Sequence, residues 1–159
     1  MRAALVLGVS LLLVAPACAD PGWYAEDGPL GAYADNDENL SLAVWCNEPA
    51  APALEVEYSD YNDDVGGIDR DITSGTLVIA AGKAPSKRFE AKYEDDNTDF
   101  LLTGPDARAV IEMALLGKGL TVSVEIKGKR YSRGVFSNTG MDKAAPALKA
   151  CLAQSEGKP

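Results

Sequence analysis

GVFSNTGMDKAAPALKAC, residues 134–151, runs from the end of an alternating strand into a helix that closes on a cysteine. Phe136 lies at the strand's end. Thr139 is a candidate N-cap, and Asp142 three residues on has the spacing of a capping box. Met141, Ala144, Ala145, Leu148, Cys151 and Leu152 then recur at three- and four-residue intervals, which puts them on one apolar stripe. Cys151 therefore faces a core. Pro146 removes a backbone donor and crowds the preceding turn, so the stretch predicts either a kink there or a helix proper that begins near Ala145.

The partner of Cys151 is read from the rest of the cysteine inventory. Residues 1–19 have the form of a secretory signal: Arg2, the apolar run AALVLGVSLLLVAPA, and Ala17-Cys18-Ala19 as a small-x-small cleavage site. The run is shorter than the ~20 apolar residues a transmembrane helix needs. Cleavage after Ala19 places the protein in the periplasm or outside the cell. The alternative is a lipoprotein anchored through Cys18, although Pro16 and the missing leucine fit that box poorly. Both readings take Cys18 out of the count. Cys46 and Cys151 remain, an even number in an exported chain, and read as one disulfide.

Cys46 ends LSLAVWC (40–46), where Leu40, Leu42, Val44 and Cys46 share one face. LEVEYS (54–59) alternates as well and pairs with it as an antiparallel hairpin. GTLVIAAG (75–82) is apolar on both faces and reads as a central strand. RFEAKYE (88–94) and DFLLTG (99–104) follow. Thr103, Pro105 and Asp106 then open a helix whose stripe is Ala107, Val110, Ile111, Ala114 and Leu115, ended by Gly117 or Gly119. LTVSVEIK (120–127) and KRYSRGVFS (129–137) make a last hairpin, with its tight turn at Gly128-Lys129.

These elements predict an α+β, mainly β fold: an antiparallel sheet or sandwich of about seven strands with two helices and one disulfide. Residues 20–39 read as an irregular lead-in whose Trp23, Tyr24 and Tyr33 fold back onto the core. Residues 40–153 read as a single disulfide-closed domain, and 154–159 as a flexible tail. Trp45 faces away from Cys46; a sandwich would bury it, and a single-layered sheet would expose it as a binding anchor.

After cleavage the chain carries 14 basic and 24 acidic residues, and residues 20–80 hold 14 of those acids against Arg70 alone. Such acidity argues against nucleic acid or an anionic membrane as partner and suits a basic protein or a divalent cation. With no histidine in the chain, Ser-His and Cys-His nucleophile pairs are excluded, as are histidine metal ligands. Carboxylates could still run a hydrolysis, but no pair stands out.

Two surface candidates follow from the pattern. Asp60, Asn62 and Asp64 have the 1-3-5 spacing of a calcium loop, with Asp69 and Asp71 after them. Val65 stands where that loop needs glycine and Asp71 where it needs a bidentate glutamate, so the plainer alternative is a solvated acidic loop. Asp35, Asp37 and Asn39 repeat the spacing more weakly. Lys127, Lys129, Arg130, Tyr131 and Arg133 form a basic hairpin, either a partner contact or a charged edge that resists aggregation.

Phe136, Ser137, Gly140, Ala144 or Ala145, Leu148 and Cys151, with Cys46 upstream, make an ending that resembles small exported envelope proteins of proteobacteria, the type VI secretion-associated VasI-like proteins among them. The resemblance covers residues 40–152 in outline and departs from the pattern at Pro146 and in the 60–74 loop. It implies an exported, disulfide-closed β-rich domain from a Gram-negative bacterium, and it carries over neither a catalytic residue nor a partner. The expectation is a non-catalytic protein-binding or accessory module with no resident cofactor; a calcium-stabilised structural domain and a carboxylate hydrolase are the alternatives.

Overall fold

The alternating runs become strands in the computed structural model, which describes residues 22–25, 30–35, 40–46, 52–58, 72–94 and 99–155. In chain order they are β1 (Trp23–Ala25), β2 (Leu30–Asp35), β3 (Leu40–Trp45), β4 (Ala53–Tyr58), β5 (Ser74–Ala81), β6 (Lys87–Glu94) and β7 (Asp99–Thr103). Helix α1 (Gly104–Leu115) follows, then β8 (Leu120–Ile126), β9 (Lys129–Phe136) and helix α2 (Met141–Ser155). The strands form one nine-stranded sheet in the order β1-β2-β3-β4-β7-β6-β5-β8-β9. Every neighbouring pair is antiparallel.

The fold class is the expected one, with two strands more than the seven read from the pattern. Both lie in residues 20–39, which are therefore not an irregular lead-in. Their signal is weak for a physical reason. β1 has three residues, and β2 carries only alanines on its inward face, where Ala32 and Ala34 are fully buried. Alanine has low strand preference, and the flanking Gly, Pro, Asp and Asn read as loop. The domain therefore begins well before residue 40, and at its other end α2 reaches into the expected tail.

A sandwich is not needed, because the two helices cover one face of the single sheet. Leu40, Leu42, Val44, Leu54, Val56, Leu77, Ile79, Phe100, Leu102, Leu120, Val122 and Phe136 point to that face and are buried with Val110, Ile111, Ala144 and Leu148 of the helices. α1 packs on β4, β7 and β5, and α2 on β1 and β2. The helices meet where the Arg108 guanidinium, also paired with Glu112, donates to the Leu152 carbonyl at 3.4 Å.

Cys46 and Cys151 form the expected disulfide, with a Cα–Cα distance of 5.0 Å across 105 residues of sequence. Gly31 makes room for it. β2 shifts register between Leu30 and Ala32, and a Cβ on Gly31 would collide with the Cys46 sulfur. α2 starts at Met141 and runs through Pro146, so the expected later start near Ala145 is corrected. Proline is lost from the ladder by one donor only, and the Cys151 end of the helix is anchored covalently.

The start of α2 is held by β1. The Trp23 amide donates to the Thr139 carbonyl at 2.8 Å, so the first strand of the sheet meets the segment that follows the last. Gly140 sits between them with φ +74°, and a Cβ there would strike the Trp23 carbonyl oxygen. Gly140→Ala is therefore expected to destabilise the fold by about 2 kcal/mol, through both the left-handed backbone and the clash. A thermal melt should show Tm falling by about 5 °C; an unchanged Tm would mean the β1–α2 seam is not formed.

The last hairpin turns one residue earlier than its sequence suggests. Lys127 (φ 50°) and Gly128 (φ 75°) occupy the turn, and Ile126 pairs with Lys129. Two successive positive φ values make a type I′ turn, whose twist matches the strands. Asn or Gly favours the first of these positions, and Lys127 hid it. In α1, Thr103 stands at the N-cap position but its side chain makes no cap hydrogen bond, and the helix ends before Gly117 (φ +64°).

Candidate functional site

The face of the sheet opposite the helices carries the polar half of each alternation. Cross-strand register places these residues in rows, because directly opposed residues point the same way. Asp35 of β2 opposes Ser41 of β3, Ser41 opposes Glu57 of β4, Glu57 opposes Asp99 of β7, and Asp99 opposes Glu94 of β6. The next row holds Tyr33, Ala43, Glu55, Leu101 and Lys92. Neighbouring strands lie about 4.8 Å apart, so Glu57, Asp99 and Glu94 form a line of three adjacent carboxyl groups.

Most of these groups have hydrogen-bond partners. Ser41 Oγ donates to Glu57 Oε2 at 3.2 Å, and Lys92 Nζ donates to Glu94 Oε1 at 2.8 Å. The Trp45 indole N–H donates to Glu55 Oε2 at 2.6 Å, and the Tyr33 hydroxyl to Asp35 Oδ1 at 3.2 Å. Burial pushes the Tyr33 hydroxyl above its ordinary pKa, with the Asp35 and Glu57 charges adding to the shift and a bond to Ser41 opposing it.

Asp99 is the exception. It is only 7% exposed, and its Oδ1 is buried with no hydrogen-bond partner among the described residues. Desolvation, reinforced by the charges of Glu55, Glu57 and Glu94, pushes its carboxyl from 3.8 up to about 7. The short Asp99 carboxyl thus lies between the longer Glu57 and Glu94 side chains in one row. The row can accept hydrogen bonds from a cationic group and supply its counter-charge.

Trp45 lies on this same face of the single sheet, half-buried beside Glu55 rather than enclosed in a sandwich core or fully exposed. Trp45→Phe keeps an aromatic ring, though a smaller one, and removes the donor to a charged acceptor. It is expected to cost about 1 kcal/mol, read as a lower denaturation midpoint by the emission of Trp23, which is then the sole tryptophan. An unchanged midpoint would mean that the bond to Glu55 contributes nothing.

The basic hairpin sits at the far edge of the sheet. Lys129, Arg130 and Arg133 are exposed on β9, the terminal strand, and Tyr131 is half-buried at a register shift and packs on the core. Arg88 forms a 2.7 Å ion pair with Glu125 between the two ends of the face. The same surface thus carries the acidic row of Glu57, Asp99 and Glu94 with Glu55 beside it, mixed charge along the rest of β6, and exposed basic residues at β9. The candidate calcium residues Asp60, Asn62, Asp64, Asp69 and Asp71 lie outside the described residues, as do residues 1–19 with Cys18, and Asp37 and Asn39. Among the described residues no three acidic or sulfur ligands converge as a metal cage, and no helix is long and apolar enough to cross a membrane.

Sequence pattern placed Glu55, Glu57, Glu94 and Asp99 on strands but did not bring them together. The row exists because β4 pairs with β7, and that non-consecutive pairing has no local signature. No protein family model, curated protein or solved structure matches this chain.

Proposed function

We propose that the chain is an exported, non-catalytic protein-binding module that docks a basic partner on the acidic half of its helix-free sheet face. One observation carries the reading: Glu57, Asp99 and Glu94 lie in one cross-strand row, with Glu55 beside them and Lys92 as the cation that reaches the row. A surface with excess negative charge on rigid strands attracts a cationic surface and orients it. Export is supported by the signal-like residues 1–19 and by an intramolecular disulfide, which belongs to oxidising compartments. The ending Phe136 to Cys151 adds the likeness to VasI-like envelope proteins.

The test compares the wild-type chain with a Glu55→Gln, Glu57→Gln, Glu94→Gln variant as baits for a cell-envelope extract at low ionic strength. The expected result is a basic protein held by the wild type, released by high salt and lost from the variant. Equal capture by both baits, or no basic protein on either, overturns the reading.

A further inference from the structure

We propose that Asp99, between Glu57 and Glu94, is the receptor for a guanidinium group, so that an arginine of the basic partner seats in this row. The inference rests on the docking face proposed above and adds the group that face selects. Its observation is the buried Oδ1 of Asp99, which lacks a hydrogen-bond partner among the described residues although the residue is only 7% exposed. A buried carboxyl oxygen left unpaired is costly. A donor that arrives with a ligand would relieve that cost.

The geometry favours guanidinium over the other cations. A calcium ion needs six to eight oxygens about 2.3–2.6 Å from one point. The acidic groups among the described residues do not converge in that way. They are spread along a line at the strand spacing, about 4.8 Å per step. An ammonium is a compact point charge with three donors, whereas a guanidinium presents five N–H donors in a rigid plane and bridges separated carboxylates. The ion pair between Lys92 and Glu94 that borders this row is exposed and of the weakly held surface kind, so Glu94 can turn toward an incoming ligand.

Binding would also move a proton. Asp99 faces Glu55 and Glu57 from β4 and Glu94 and Lys92 from β6, with Asp35 one strand beyond the uncharged Ser41. Burial, reinforced by the charges of Glu55, Glu57 and Glu94, raises its carboxyl to about 7, and a seated cation opposes that shift. The proton leaves to solvent as the guanidinium enters.

The experiment is calorimetric titration of the full chain with a hexa-arginine and a hexa-lysine peptide at pH 7, in two buffers of different ionisation enthalpy. The wild type should bind the arginine peptide about tenfold more tightly and release protons as it binds. Asp99→Asn should still bind both peptides through the glutamates, but without the preference and without the proton. Equal affinities in the wild type, or a preference and proton release that survive Asp99→Asn, overturn the receptor while leaving the acidic docking face standing. If the wild type binds neither peptide, both readings fall.

Discussion

Replacing both cysteines, Cys46→Ala with Cys151→Ala, should lower the unfolding free energy by about 4–5 kcal/mol. The bridge spans 105 residues of sequence, and opening a loop of that length restores about 4.7 kcal/mol of chain entropy to the unfolded state. Domains of this size have about 5–15 kcal/mol in total, so the variant should be partly unfolded near physiological temperature. Neither sulfur is exposed enough for solvent to compensate, since Cys151 is 1% and Cys46 9% accessible. Urea denaturation of the wild type, the double variant and the wild type under reductant checks this. The last two should share a midpoint well below the first. Coincident midpoints for all three would mean that α2 holds to the sheet without the bridge.

The second large effect is a stabilisation. Asp99→Asn should leave stability almost unchanged at pH 4 and raise it by about 2–3 kcal/mol at pH 8. The carboxyl stands near 7 in the folded protein against 3.8 when free, so between those values the folded state binds a proton that the unfolded state has released. Stability conferred by the neutral acid is complete below about pH 4, falls as the pH rises, and is gone above about pH 7. The full difference corresponds to roughly 4 kcal/mol, and the solvent-reaching glutamates around Asp99 screen part of it. Asparagine carries no charge to desolvate and brings an N–H donor to the flanking carboxylates. Denaturation of both proteins across pH 4–8 isolates the residue from every other titrating group. Parallel curves would show that Asp99 ionises normally in the fold.

The two effects differ in how far the sequence announces them. The disulfide was legible because two alternations agree: Cys46 continues the inward register of Leu40, Leu42 and Val44, and Cys151 continues the stripe of Met141, Ala144 and Leu148. Strands with a clear period of two, such as β6 and β8, were legible for the same reason. β1 and β2 were not, since three residues and a pair of alanines carry little hydrophobic signal. The start of α2 was obscured by Pro146, whose local preference is outweighed by packing on β1 and β2 and by the bridge. The acidic row was illegible in a stronger sense. Glu57 and Asp99 are adjacent only because β7 inserts between β4 and β6, and that is a property of topology rather than of any window of residues.

That insertion, together with the seam between Trp23 and Thr139, also bears on how the chain must assemble. β4 waits for β7, more than forty positions later in the chain, and β1 waits for a residue beyond the end of β9. Such distant pairings slow folding, because long loops must close before their contacts form. A chain that emerges amino-terminus first has no α2 to cover β1 and β2 until residues 141–155 are out, and Cys46 has no native thiol to meet before Cys151 follows it. Until that moment the inward faces of β2 and β3 stay open to other chains. α2 thus behaves as a completion signal: only a chain that includes it can lock, and products truncated before it should remain sticky, reducible and open to proteolysis.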